Sequence, residues 1–288
     1  PAFDSGFPVD FALIKNKSST SNFWAVARQT NGKGLYTNSG VSEQSHSELG
    51  EFDHSTAHGN IDWWDNANWI SWMWKKGAGF DVVTYRCNEN ISSGIQMIPH
   101  KMNSVPEMYW VKNRGTTNKD WAVYHKELNG GTNPHDYYLK LNSDGAEGSD
   151  STYFGAAPTK TAFAVNRSNT LTGHHDHKFI AMLFSSVDKI SKVGSYTGSS
   201  SNVSVTTGFQ PRFIIIKRNN ISGQWAVFDT VRGITSSGSG GDKGLYLNGN
   251  IAEFDGTYIE LSSTGFTVNT GWVGINGTSS EYIYYAHA

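Results

Sequence analysis

The chain has 288 residues, with 23 Lys plus Arg against 25 Asp plus Glu, and a formal net charge of −2, so no bulk charge draws it to nucleic acid or to an anionic membrane. Glycine (31) and aromatic residues (13%) are frequent and charged residues make up only 17%, against about 25% in ordinary globular domains, which is a composition of short strands and many turns. The single cysteine, Cys87, excludes an internal disulfide, and no apolar run approaches the roughly 20 residues of a membrane-spanning helix.

In chain order, Pro1-Ala2 lead almost at once into an apolar stretch, and we expect a processed product or the C-terminal part of something longer. The first predicted hairpin is ALIK (12–15) followed by WAVAR (24–28). The second is YWVK (109–112) with WAVYHK (121–126), and the third is RFIIIK (212–217) with WAVFD (225–229). Phe213 to Ile216 are apolar on both faces, as in a central strand covered on both sides. The NNISG turn after Lys217 has residues that tolerate φ > 0 or bond their own backbone.

These hairpins are three copies of one pattern. Lys15, Lys112 and Lys217 each end an apolar run. Trp24, Trp121 and Trp225 each open a Trp-Ala-Val tripeptide, and Leu35/Asn38, Leu139/Asn142 and Leu245/Asn248 follow. Each copy carries a later aromatic strand: WISWMW from Trp69, FIAMLF from Phe179 and YIYYAH from Tyr282. Tyr85 and Tyr196 match in the segments that precede the second and third hairpins. The spacing of the lysines, near one hundred residues, is too long for a solenoid or propeller blade of about 20–50 residues and suits a small sandwich domain. The predicted fold is all-β, tandem β-sandwich or jelly-roll-like repeats with little helix, over 1–94, 95–202 and 203–288, packed end to end or around each other.

The candidate chemistry is sparse. His174-His175-Asp176-His177 is the most ligand-like run, with His175 and His177 able to point the same way, but its place between Gly173 and a strand reads first as a polar turn. Asn142 to Asp150 holds several oxygen ligands whose order does not match an EF-hand, so a plain turn is preferred over calcium. Gly238-Ser-Gly-Gly-Asp-Lys-Gly lacks the Lys-Ser/Thr ending of a phosphate loop. Cys87 reads as a strand residue with an idle thiol. Neither a metal nor another cofactor is expected, and no catalytic residue is assigned. Trp72 and Trp74 read as core. Trp63 and Trp64, flanked by Asp62, Asp65 and Asn66, have no counterpart in the other copies, and flat aromatics beside Asp and Asn are how a sugar ring is stacked and hydrogen-bonded. Trp272 is the comparable residue of the third copy.

The segments WMWKKGAGFDVVTY (72–85), IPHKMNSVPEMYWVKNR (98–114), WAVYHKEL (121–128), YLKLN (138–142), KVGSYTGSSS (192–201), GFQPRFIIIKR (208–218), WAVFDTVRG (225–233) and YIYYAHA (282–288) resemble, in this order, virion proteins of tailed phages, especially marine phages. The resemblance implies a tail-fibre-like or concanavalin-like sandwich, a place on the virion exterior, other virion proteins as partners, and a homotrimer. It carries no catalytic residues. The first functional expectation is a tail-fibre or spike module touching host-surface glycan. The second is a capsid decoration or head-fibre protein without a sugar ligand. The third is a polysaccharide-degrading enzyme, which needs an acidic cleft with two facing carboxylates.

Overall fold

A computed structural model describes residues 3–45, 52–59, 67–88, 90–237 and 241–288. The fold is all-β, 42% strand and 6% helix, built of antiparallel sheets. Copy one contributes β1 (Phe3–Asp4), β2 (Phe11–Asn16), β3 (Trp24–Ala27), β4 (Lys33–Tyr36), β5 (Gln44–Ser45), β6 (Ala57–His58) and β7 (Trp69–Trp74). Then come β8 (Phe80–Arg86), β9 (Ile95–Pro99), β10 (Met108–Asn113), β11 (Ala122–His125), β12 (Tyr137–Lys140), β13 (Gly148–Ser149), β14 (Ala162–Asn166) and β15 (Lys178–Phe184). The last set is β16 (Ser191–Thr197), β17 (Val203–Thr206), β18 (Phe213–Arg218), β19 (Trp225–Asp229), β20 (Asp242–Tyr246), β21 (Phe254–Gly256), β22 (Ile259–Ser262), β23 (Gly265–Val268), a one-turn helix α1 (Val273–Asn276) and β24 (Glu281–His287).

Each copy has one main sheet in the same order: β5-β4-β3-β2-β7, β13-β12-β11-β10-β15-β8 and β21-β20-β19-β18-β24-β16. A smaller sheet completes the set, β1-β6, β14-β9 and β17-β23-β22 respectively. Strand alternation divides the apolar residues between two cores. Phe11 and Leu13, Met108 and Trp110, and Phe213 and Ile215 all meet in one central cluster shared by the three copies. Their neighbours Ala12 and Ile14, Tyr109 and Val111, and Ile214 and Ile216 face three separate outer clusters. The hairpin strands are therefore covered on both faces, and the three sandwiches pack around each other rather than end to end.

Two details differ from the sequence expectation. Strands β8 and β16 lie ahead of the 94/95 and 202/203 boundaries, yet each pairs with the sheet of the following copy, β8 with β15 and β16 with β24. Each main sheet after the first thus begins upstream of its expected boundary. The Trp-Ala-Val tripeptides are also not equivalent. Asn142 and Asn248 accept hydrogen bonds from the backbone N–H of Trp121 and Trp225, but Asn38 accepts from Phe23. Cross-strand pairing agrees, setting Ala25 opposite Leu35 where Val123 and Val227 face Leu139 and Leu245. A one-residue offset moves a side chain to the other face of a strand. Phe23, with Trp121 and Trp225, joins the central core, while Trp24 turns outward onto Tyr36, ring centroids 4.3 Å apart.

The copies are tied in a closed cycle. Lys15, Lys112 and Lys217 are fully buried. Each ammonium donates to carbonyls near its own hairpin turn: Lys15 to Ser19 and Ser21, Lys112 to Lys119, Lys217 to Arg218. Each also reaches the same loop position of a neighbour. Lys112 donates to Gly40 O at 3.2 Å, Lys217 to Asp144 O at 3.2 Å and Gly145 O at 2.9 Å, and Lys15 to Asn250 O at 3.3 Å. Indole donors follow the same path, Trp121 Nε1 to Tyr36 O and Trp225 Nε1 to Lys140 O. Phe23 has no such donor, and Thr37 Oγ1 instead bonds Leu247 O at 2.6 Å.

Lys112→Met removes the ammonium donor to the Lys119 and Gly40 carbonyls and leaves Gly40 O with the Lys119 N–H. The expected loss is about 1–3 kcal/mol of stability in urea unfolding at neutral pH; an unchanged midpoint and slope contradicts the clasp. Burial pushes all three ammonium groups down to about 8 from the ordinary 10.5. Between those values the unfolded chain binds more protons than the native one, so the three lysines make stability rise with pH. Cys87, pushed up to about 11 from 9.0 by burial, takes the opposite sign above pH 9, and buried Tyr109 and Tyr196 do so above pH 10. The urea midpoint should therefore be higher at pH 9 than at pH 7.5; a fall over that interval contradicts the assignment.

Candidate functional site

Asp62, Trp63, Trp64 and Asp65 lie outside the described residues. Trp272 is described. It follows Gly271 at φ +102 and leads into α1, with its carbonyl accepting from Ile275 N and Asn276 N. Asn276 pins this turn: its side chain accepts from Ser199 N at 2.7 Å and donates to Ser201 O at 3.0 Å. Tyr282 clamps it further, donating to Val273 O and accepting from Gly277 N. The Trp272 backbone is thus set by groups rooted in β24 and the outer sheet, not by solvent.

The indole is half-buried on an aromatic ledge. Its ring centroid lies 4.9 Å from Tyr258, 5.6 Å from Phe254 and 6.4 Å from Tyr246, with buried Phe228 beneath at 6.3 Å. Tyr246 and Phe254 contact at 4.7 Å. All four ledge rings are half-buried, so each presents part of a face or edge to solvent. Two glycines permit the packing. A Cβ on Gly244 would stand 2.3 Å from the Phe254 ring, and one on Gly274 would stand 2.3 Å from the Trp272 ring.

Buried Asp242 orients the ledge by accepting from Tyr258 N at 2.6 Å and Ile259 N at 2.8 Å. Tyr258 OH donates to Asp255 O at 2.9 Å, and the exposed Lys243–Asp255 pair closes at 2.6 Å on the rim. Burial raises the phenol pKa of Tyr246 and Tyr258, so both remain donors at neutral pH. Among the described residues, Trp272 Nε1 and Tyr246 OH bond no protein group. Flat rings with free polar handles and a charged rim are the chemistry that stacks the C–H face of a sugar and hydrogen-bonds its hydroxyls.

The other sequence candidates resolve differently. His174, His175 and Asp176 bring one ligand atom each within 4.8 Å of one another, and His175 Nε2 lies 3.2 Å from Asp176 Oδ2. His177 does not share this group as the alternation implied. The turn, closed by His177 N to His174 O, sends its ring to Asn113, Nδ1 to Nδ2 at 2.7 Å. In the 142–150 loop the oxygens face a cation of the chain itself, since the Asp144 and Gly145 carbonyls receive the Lys217 ammonium. The Glu147 carboxylate accepts from Asn129 N and Asn219 Nδ2. Residues 238–240 of the glycine-rich run lie outside the described residues. The Cys87 thiol is buried and pushed up to about 11, which leaves little thiolate at neutral pH.

Trp72 and Trp74 are core, as expected. Trp72 Nε1 lies 3.2 Å from Asp229, whose carboxylate also takes Arg232 Nε at 2.6 Å. A cleft of about 360 Å³ holds two carboxylates, Glu127 and Glu281, beside Tyr196 and Asn219.

The family described as Domain of unknown function (DUF7483) matches residues 2–288. The chain belongs to that family. No curated protein and no solved structure matches it. Within this DUF7483 chain, sequence reasoning found Trp272 but missed its companions. Comparison of the copies gave no signal for them: Tyr246 stands where copy two has Lys140, but copy one also has a tyrosine there, Tyr36.

Proposed function

We propose that this chain is a non-enzymatic structural module of a tailed-phage virion, exposed on its exterior and touching host-surface glycan as part of a tail fibre or spike. The observation that carries the glycan reading is the ledge of Tyr246, Phe254, Tyr258 and Trp272, with unengaged Trp272 Nε1 and Tyr246 OH at its surface. Its backbone is held by Asn276, Tyr282 and Asp242, so a ligand would meet a preformed surface and lose little to ordering it. The resemblance of the strand segments to virion proteins supplies the setting. The expected homotrimer stays part of this reading, although one chain already closes a threefold arrangement of its own.

The second reading, a capsid decoration or head-fibre protein, uses the same ledge as a contact with another virion protein. Among the described residues, the cleft of Glu127 and Glu281 offers an enzymatic reading two carboxylates, but the ledge is the more specific arrangement.

The test is saturable binding of labelled protein to intact bacterial cells and to arrayed bacterial surface polysaccharides. Trp272→Ala should weaken binding roughly tenfold, the size of one lost aromatic contact plus its buried area. Trp63→Ala/Trp64→Ala asks the same of the other tryptophan pair. Absence of binding to every glycan, together with attachment to purified phage heads or tails, would replace this reading by the second.

A further inference from the structure

The three main sheets are equivalent except at one edge. In copy two, β15 is flanked by β10 on one side and by β8 on the other, antiparallel from Phe80↔Phe184 to Arg86↔Lys178. In copy three, β24 is flanked by β18 and by β16, from Ser191↔His287 to Thr197↔Glu281. Strand β7 of copy one pairs with β2 in the matching register, and beyond it the described residues supply no sixth strand.

The consequence is visible in burial. Ile180, Ala181 and Leu183 of β15 are fully buried, whereas their counterparts Ile70, Ser71 and Met73 of β7 are only half-buried. The sixth strands of the other copies also fill the central core, with Phe80 and Val82 from β8 and Val193 from β16. In copy one no described strand fills that volume. A cavity of about 240 Å³ is lined by Ile70, Trp72, Trp74 and Phe213, and a second of about 300 Å³ by Met73, Trp74, Phe80 and Tyr285. An exposed apolar strand edge is a template for pairing, and proteins normally blunt it with charge, proline or a cover. From Ile70 to Trp74, β7 has no charged residue and no proline.

We propose that the free edge of β7, from Ile70 to Trp74, is a strand-acceptor site for an extended segment of a partner polypeptide. The occupant runs antiparallel to β7 and alternates as β8 and β16 do. Its inward positions are aliphatic or aromatic and fill the two cavities, and its backbone completes the ladder. Two observations select a partner's strand. The position it would take continues an interface already made twice in this molecule, where β8 and β16 add to the sheet of a following copy. A second copy of this chain has no spare strand among the described residues to donate, because its own β8 and β16 are paired; it could offer only a sheet edge, such as another β7.

The experiment uses the 288-residue chain and a labelled synthetic peptide with the β16 sequence and flanks, Lys189 to Gly198. The control is the same peptide N-methylated at alternate amides, which keeps the side chains and removes the ladder donors. The expected result is saturable binding of the unmodified peptide, at least tenfold weaker for the N-methylated one, with hydrogen-exchange protection rising at residues 70–74. Equal binding of the two peptides, or unchanged exchange at 70–74, overturns the proposal. So does a peptide-free dimer already protected at 70–74, which would mean that two β7 edges pair with each other. None of these readouts involves the aromatic ledge, so this site and the glycan reading stand or fall separately.

Discussion

A buried ammonium group has to find oxygen, and in this chain that requirement is met across copies. Lys15, Lys112 and Lys217 end their strands inside the protein, where an unpaired charge would cost several kcal/mol or more. The hairpin turn next to each lysine offers carbonyls from its own copy. The rest come from the loop four residues beyond β4, β12 or β20 of a neighbour, at Asn250, Gly40 and Asp144. Each copy therefore both donates to and accepts from another, and the cycle closes with three members.

Packing follows the same logic. Each main sheet buries one face under its own small sheet and offers the other to the common centre, where Leu13, Trp110 and Ile215 meet in one cluster. No copy taken alone covers that inner face. The ordering of Trp272 rests on the same frame, since Tyr282 and Asn276 anchor its turn to strand β24 and to the outer sheet that packs on it. A surface built this way is stiff, which suits recognition by stacking better than a mobile loop would.

Much of this was legible in the sequence. The lysines, the Leu–Asn pairs and the aromatic strands marked three copies, and runs such as FIIIK, apolar on both faces, pointed to strands covered on both sides. The Trp-Ala-Val identity misled because residue type was stronger than register. The Asn38 hydrogen bond from Phe23 N and the pairing of Ala25 with Leu35 reveal that copy one is offset by one residue. The boundaries slipped because β8 and β16 pair forward with the next copy, a long-range choice that no local pattern encodes. The ledge around Trp272 was half visible: the tryptophan stood out, whereas Tyr246, Phe254 and Tyr258 became neighbours only through the β20–β21 pairing and the fold of the 258–272 segment. The open edge of β7 was invisible without the sheet order, because WISWMW reads the same whether or not a sixth strand lies beside it.

The central claim is that three sequence copies make one cooperative body. Differential scanning calorimetry of the 288-residue chain tests it most directly. A shared core and a closed lysine cycle require one unfolding transition whose van't Hoff enthalpy equals the calorimetric enthalpy. Two or three separable transitions, each with the enthalpy of a single copy, would show that the sandwiches fold alone and that the central cluster is only a contact between finished domains.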